Sequence, residues 1–399
     1  MKPLCRRWAP YLSAALSVLV VMLVVAAFTG QWPNQHNPYG SYLLQANAWL
    51  EGRLDLGQDY VWLELAIFNG KYYVSFPPFP SYVLLPFAAI FHDNTPDHFI
   101  AWAVTLLGVF YAVRLYRMTR KDGQSGFWVM FLYLGTGYLF ISMNAFVWFI
   151  AQTMCFTLSL MAIVHAKKGQ GGIALACWAC AVGCRPMVVL YLPLLVWLLW
   201  PAKGELTLWQ WIWKRWYWAV PTLLIAGSYM ALNQARFGNP LEFGHNYLPE
   251  FVRAPEGQFS LSYFAANFQQ LLRLPGWNET EHRAIFFTGQ TMAFWLLNPM
   301  YFAIAAAWVY GLVKKRGVIP AVLLPVMVVA HVVFLCCHRT LGGWQFGNRY
   351  LLDMMPWLFL GLLTWMPEDD RFARWSTPLM AWGFAINAIG TMATYNGWI

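Results

Sequence analysis

Apolar segments about as long as a membrane is thick recur along most of the chain, and they constrain the fold more than any other feature. A helix rises 1.5 Å per residue, so about 20 apolar residues cross a hydrocarbon core of about 30 Å. Read this way, segments near 10–28, 97–116, 125–143, 146–165, 170–184, 187–200, 217–235, 292–313, 318–337, 350–366 and 377–395 are spans. The expected fold class is an all-α polytopic membrane protein with about eleven transmembrane helices, forming one integral membrane domain over residues 1–399. Composition agrees: 59% of residues are apolar and only 11% charged, against about a quarter charged in a soluble domain.

Charge position sets the expected orientation. Most basic residues of this +9 chain lie in short clusters at span ends, such as RLYRMTRK and Lys314-Lys315-Arg316. The positive-inside rule puts these clusters and the N-terminus in the cytoplasm and the C-terminus outside. The basic charge therefore speaks for a lipid bilayer and not for nucleic acid. Lys2, Arg6 and Arg7 precede an apolar run of full span length, so the start reads as an uncleaved first helix and not a signal peptide. The 24 tryptophans suit interfacial belts, with sugar stacking as a second use. Cys177, Cys180 and Cys184 fall at helical spacing; small packing residues explain them better than a redox or metal face.

Three external loops follow from this topology, at 29–96, 236–285 and 338–349. The first is the longest and holds Glu51, Asp55, Asp59 and Glu64. Within it, Tyr39, Tyr42, Leu43, Ala46, Trp49 and Leu50 form a helical stripe with Ser41, Gln45 and Glu51 off it, which predicts an interfacial amphipathic helix ended by Gly52. An Asn69-Gly70 turn precedes an extended KYYVS. The proline-rich apolar run 79–91 is short for a span, and a crossing there would put Arg114, Arg117, Arg120 and Lys121 outside; it reads as a second interfacial or re-entrant segment.

Eight arginines lie outside against the charge bias: Arg53, Arg185, Arg236, Arg253, Arg273, Arg283, Arg339 and Arg349. They are the best candidates to bind something anionic. Arginine matches phosphate in a bidentate way, and it would stabilise a phosphate leaving group as charge develops there. A carboxylate would accept the proton of an acceptor hydroxyl. Glycine-rich GGWQFGNR lets backbone approach a ligand closely. The chain carries no phosphate-cradling Gly-Lys loop, so a nucleotide-sugar site is not expected. Bland readings stand beside these. Glu51 reads as a solvated helix face, Arg185 as a headgroup anchor by snorkelling, and Arg349 and Asp353 as an i,i+4 ion pair. His331 reads as a mid-span packing residue. His36, His245 and His338 could join an acid around a divalent metal, but no His-x-x-x-His spacing supports it, and the expected site includes no metal ligand set.

The order of spans, the large first loop and the run NPYGSYLLQANAWLEGRLDL…ELAIFNGKYYVSFPPFPSYVLLPF resemble the GT-C membrane glycosyltransferases. Arg185-Pro186 after a small-residue span, RFGNPLEFGHNY and GGWQFGNRYLLDMMPW are similar to the bacterial branch akin to protein O-mannosyltransferases and the lipid A aminoarabinose transferase. The resemblance runs from residue 10 to about 365 and implies a polyprenyl-phosphate-linked sugar donor, a glycan, lipid or protein acceptor, and a site on the outer face of the cytoplasmic membrane. The chain departs from that pattern after its first span, where Asn34, His36 and Asn37 stand in place of the usual acid; Asn144 and Gln152 stand where a second acid is expected. The candidate base is therefore Glu64, with Asp55 next and Glu242 or Asp353 beyond them. Arg185, Arg349, Arg339, His245, Asn37 and Tyr73 form the candidate set for the lipid phosphate and sugar. The rival functions are an inactive scaffold of the same fold, a lipid transporter or flippase, and a lipid-phosphate hydrolase. Polar residues at the outer span ends, not strung through the spans, argue against transport.

Overall fold

The computed structural model describes residues 3–35, 37–201, 206–280, 283–285 and 292–399. Expectations for Lys2, His36 and the side chains of Arg6, Arg7 and Arg283 lie outside the described residues. The order is α1 (Pro3–Thr29), α2 (Ser41–Leu50), β1 (Leu65–Phe68), β2 (Lys71–Val74), α3 (Phe79–Phe91), α4 (Asp97–Thr119), α5 (Ser125–Leu134), α6 (Tyr138–Ser142), α7 (Val147–Lys167), α8 (Gly171–Val182), α9 (Leu192–Leu199), α10 (Leu208–Arg215) and α11 (Ala219–Phe237). Then come α12 (Pro249–Val252), α13 (Phe264–Leu272), β3 (Gly276–Asn278), β4 (Arg283–Ile285), α14 (Phe294–Leu297), α15 (Met300–Val313), α16 (Val318–Cys337), α17 (Met355–Trp365) and α18 (Arg371–Tyr395). Two short antiparallel hairpins, β1–β2 and β3–β4, are the sheet content of the described residues. The chain is an all-α polytopic membrane protein.

Among the described residues, four helices are long and apolar enough to cross a bilayer in one piece: Trp8–Thr29, Asp97–Thr119, Val147–Lys167 and Val318–Cys337. The other expected spans are shorter, broken or more polar. The expected span 125–143 is two pieces, α5 and α6, parted at Gly135-Thr136-Gly137. Backbone polar groups at membrane depth need partners, and the break has them. Gly137 N–H donates to Asn298 Oδ1 at 3.0 Å, and Thr136 Oγ1 donates to Leu132 O at 2.7 Å.

α7 is the central helix. It is buried around its circumference, with Thr153, Thr157 and Ser159 inside as well as its apolar residues. It packs on α4, α8 and α17. Between membrane helices there is little hydrophobic drive, so close packing of small residues does the holding. Gly108 of α4 is such a point: a Cβ there would meet Thr157 Oγ1 and Tyr133 Oη at 2.5 Å. α1 and α16 are peripheral and expose apolar rows, including Leu12, Leu16, Val322 and Val326.

The first loop folds back over one end of the bundle. α2 packs on α3, and the Asn69-Gly70 turn, both residues at positive φ, joins β1 to β2. That is the geometry a tight hairpin requires. α2 departs from expectation: Ser41 and Gln45 are buried, and Leu50 is exposed. The reason is polar pairing with α3, where Ser81 Oγ donates to Tyr42 O at 3.0 Å and to Gln45 Oε1 at 2.9 Å. Three contacts then draw the two large loops together near Arg185. Phe79 N–H donates to Gly183 O at 3.0 Å. Arg236 Nη1 donates to Val74 O at 3.0 Å, and His245 Nδ1 donates to Ser75 O at 2.6 Å.

Candidate functional site

Arg185 owes its position to the corner between α8 and the 3-10 turn Pro186–Tyr191. The chain passes Gly183, where a Cβ would fall 2.1 Å from Tyr229 Oη, and extends at Arg185 before Pro186 starts the turn. Arg185 Nε donates to Asp353 Oδ2 at 2.9 Å. Asp353 lies in the 3-10 turn Arg349–Met354 that leads into α17. Gln152 of α7 donates from Nε2 to Asp353 Oδ1 and to Arg349 O, both at 2.6 Å. Both carboxylate oxygens are therefore engaged, and Arg185 is neutralised by a buried partner.

Arg349 is placed differently. It is 2% exposed, and its Nε and Nη1 have no hydrogen-bond partner among the described residues. The expected Arg349–Asp353 pair is replaced by Arg185–Asp353. The 3-10 geometry of this turn removes the i,i+4 alignment an α-helix would supply. Instead the Tyr350 ring lies between two guanidinium groups, 4.6 Å from each Cζ, and Phe149 lies 5.7 Å from that of Arg349. Ring faces soften a buried cation but do not satisfy its N–H groups.

Both arginines line a cavity of about 360 Å³ roofed by the first and second loops. Glu64 lines it too, held by Trp148 Nε1, which donates to Oε2 at 3.0 Å, and by Ser75 Oγ, which donates to the Glu64 backbone O at 3.2 Å. Glu64 is accessible from the cavity mouth, yet protein packs around its carboxylate. That packing raises its pKa, and the negative charge of Glu250 adds to the rise; the Trp148 bond and Arg349 oppose it. Glu250, in the first turn of α12, is raised by burial and lowered by Arg339. Tyr42, Phe76, Trp148, Phe251 and Tyr350 give the cavity aromatic walls.

His245 lines the same space. Burial pulls its pKa down to about 4, helped by the charges of His338 and Arg185, against the Ser75 hydrogen bond. It is a neutral imidazole near pH 7, with Nδ1 donating to Ser75 O and Nε2 left as an acceptor. Arg339, an expected phosphate ligand, is not among the residues that line the cavity, although its neighbours His338 and Thr340 are; its Nη1 is buried with no hydrogen-bond partner among the described residues. Among the described residues no three His, Cys, Asp or Glu side chains group so as to hold a metal ion; His36 lies outside them.

Three expected site residues stand elsewhere. Asp55 caps a turn, accepting from Gly57 N–H at 3.0 Å, and pairs with Lys71 at 3.0 Å, which lowers its pKa. Asn37 pins the loop to the bundle, donating to Asp97 Oδ2 at 2.6 Å and Ala145 O at 2.8 Å. Tyr73 packs in a small separate core against Phe237 at 5.2 Å between ring centroids. Glu242 lines the cavity, but its oxygens accept from Gly244 N–H and Asn246 Nδ2 at 2.6 and 2.7 Å and hold the second loop. Glu51 pairs with Arg53 on the exposed surface. His331 lines the cavity and meets Tyr191 Oη at 3.3 Å. Sequence reasoning missed Glu250, Trp148 and Tyr350 as site residues. Only Tyr350 carried a hint, through its place beside Arg349.

No protein-family model and no curated protein matches the chain. Solved structures to which it is similar include ArnT from Cupriavidus metallidurans bound to undecaprenyl phosphate, at 15% identity and a TM-score of 0.48 over 88% of this chain and 59% of that one. The apo state of the same ArnT gives 16% identity and a TM-score of 0.47 over 88% and 58%. The Archaeoglobus fulgidus oligosaccharyltransferase in its apo form gives 12% identity and a TM-score of 0.48 over 97% and 56%. The chain thus spans less than three fifths of the length of each of these proteins.

Proposed function

We propose that this chain is a membrane glycosyltransferase that moves a sugar from a polyprenyl-phosphate carrier to an acceptor at the outer face of the cytoplasmic membrane. The observation that carries the reading is Arg349. It is a buried cation whose Nε and Nη1 have no hydrogen-bond partner among the described residues, in the same cavity as a carboxylate of raised pKa. An uncompensated buried charge costs several kcal/mol, and an anionic group drawn into the cavity would offset that cost. A phosphate on a lipid supplies the anion and suits a cavity at the end of a membrane bundle.

In this reading the carrier phosphate accepts from Arg349 Nε and Nη1. Arg185, held by Asp353, adds a second cation without adding net charge to the pair. Glu64 accepts the proton of the acceptor hydroxyl as its oxygen attacks the anomeric carbon. The bond from that carbon to the phosphate oxygen breaks, and the charge left on phosphate grows against Arg349. A single displacement of this kind inverts the anomeric centre. Trp148 fixes Glu64 Oε2, so Oε1 is left to take the proton. The aromatic walls would stack on the sugar. The test is binding of undecaprenyl phosphate to the purified protein and to Arg349→Gln: the reading expects affinity to fall about 30-fold or more, from the loss of hydrogen bonds to a charged group. Equal affinity would remove Arg349 from the phosphate.

A further inference from the structure

We propose that His331 distinguishes the two states of the carrier phosphate: its Nε2–H donates to the oxygen that the departing sugar uncovers, so the cavity holds a phosphate monoester more tightly than a diester. The inference rests on the carrier reading above. α16 is long and apolar enough to cross a bilayer, and His331, Phe334, Leu335 and His338 form one stripe from it, at i, i+3, i+4 and i+7, that lines the cavity. His331 is at the deep end of that stripe, about 9 Å along the helix from Cys337. It is 1% exposed. An ionisable side chain at such a depth is costly, and an apolar residue would serve packing alone. Three elements meet around it: α16, the turn Pro186–Tyr191 and the turn Arg349–Met354.

The two ring nitrogens are placed differently. Nδ1 meets Tyr191 Oη at 3.3 Å, the ring's one hydrogen bond among the described residues. Tyr191 is fully buried and stacks on Trp357, with centroids 5.1 Å apart and planes 5° apart, which fixes where its hydroxyl points. The hydroxyl donates to Nδ1, and the proton of a neutral imidazole is then on Nε2, on the side of the ring away from Tyr191. The charged groups that act on the ring are Asp353 and Arg185, and these are paired with each other at 2.9 Å. The chemistry gives Nε2–H a task. The sugar donor is a phosphodiester with one negative charge. As the acceptor oxygen attacks, the bond from the anomeric carbon to the bridging oxygen breaks, its electron pair stays on that oxygen, and the acceptor's proton goes to Glu64. The phosphate becomes a monoester with a second negative charge. A bridging ester oxygen is a poor acceptor and the uncovered oxygen a strong one, so the bond from Nε2–H strengthens as charge develops. Arg349 binds both states through the charge they share, and His331 tells them apart.

The test uses the full chain in neutral detergent and two probes: undecaprenyl phosphate and its methyl ester, a diester with the donor's single charge. Affinities are measured at about pH 8, where the monoester, with a second pKa of about 6, is doubly charged. Wild type should bind the monoester more tightly than the methyl ester. His331→Phe should weaken the monoester about tenfold, the loss of one hydrogen bond to a charged group, and keep the methyl-ester affinity, which also shows that the variant is folded. His331→Gln, which retains an N–H donor, should recover most of the preference, whereas Arg349→Gln should weaken both probes. A wild-type ratio of the two affinities in His331→Phe would overturn the assignment. An equal loss on both probes would make His331 a structural residue and overturn it too. Wild type binding both probes without preference would count against His331 alone; wild type binding neither would overturn the carrier reading and this inference with it.

Discussion

Trp148→Phe isolates the hydrogen bond that holds Glu64. The indole N–H donates to the carboxylate at 3.0 Å, and phenylalanine keeps an aromatic ring while removing the donor. A hydrogen bond to a charged group is worth about 1.5–3 kcal/mol when buried. Glu64 is open to water at the cavity mouth, so replacement by water lowers this to about 1 kcal/mol, or about 0.7 of a pKa unit. The sign follows from the chemistry. The bond favours the charged carboxylate, so its loss moves a pKa already raised by burial further up. Only the carboxylate acts as base, so activity is lost as pH falls through that pKa. The acid limb of the rate profile should therefore move to higher pH by about 0.7 unit, with the plateau rate above it largely kept. Sugar transfer by purified wild type and variant, followed between about pH 4 and 8, reads the shift. His245, held near a pKa of about 4, should add no second limb near neutrality. A limb that stays put or moves down in a folded variant would refute the assignment of Glu64.

Other expectations come from the packing around the site. Asp353→Asn leaves Arg185 buried without its counter-ion and should lower stability by about 3 kcal/mol, seen as a lower melting temperature in detergent; an unchanged melting temperature would mean that Arg185 finds another partner. Gly383→Ala would put a methyl 2.3 Å from the Gly135 carbonyl oxygen, where neither backbone can yield easily. It should cost about 1–3 kcal/mol and reduce folded yield, and wild-type behaviour would show that the α5–α6 break can relax.

Helix positions were legible because apolar run length reports them directly, and the helices fall close to the ranges read from the sequence. The breaks inside them were not. Gly135-Thr136-Gly137 is tolerated because Asn298, far away in the chain, accepts from Gly137 N–H, and the Thr136 hydroxyl donates to Leu132 O. The inward face of α2 was misjudged for a similar reason, since Ser41 and Gln45 are buried against α3 and Ser81, which hydrophobic periodicity cannot register. At the site, Glu64, Arg185, Arg349 and His245 line one cavity. Asp55 stands apart because a turn and Lys71 hold it, and Asn37 because Asp97 does. Charge placement singled out eight arginines, and of these Arg185 and Arg349 line the cavity. Which of them has a counter-ion depended on a 3-10 turn and on Gln152 of another helix, and neither has a local signature.

The most direct measurement is on Glu64→Gln. Purified wild type and variant would be given a panel of undecaprenyl-phosphate-linked hexoses and pentoses with envelope acceptors, and carrier binding would be measured on the same preparations. If Glu64 is the base, the variant binds undecaprenyl phosphate as wild type does and transfers at least about a hundredfold more slowly. Wild-type transfer by Glu64→Gln would contradict the mechanism, and carrier binding with no transfer by either protein would contradict the enzyme itself.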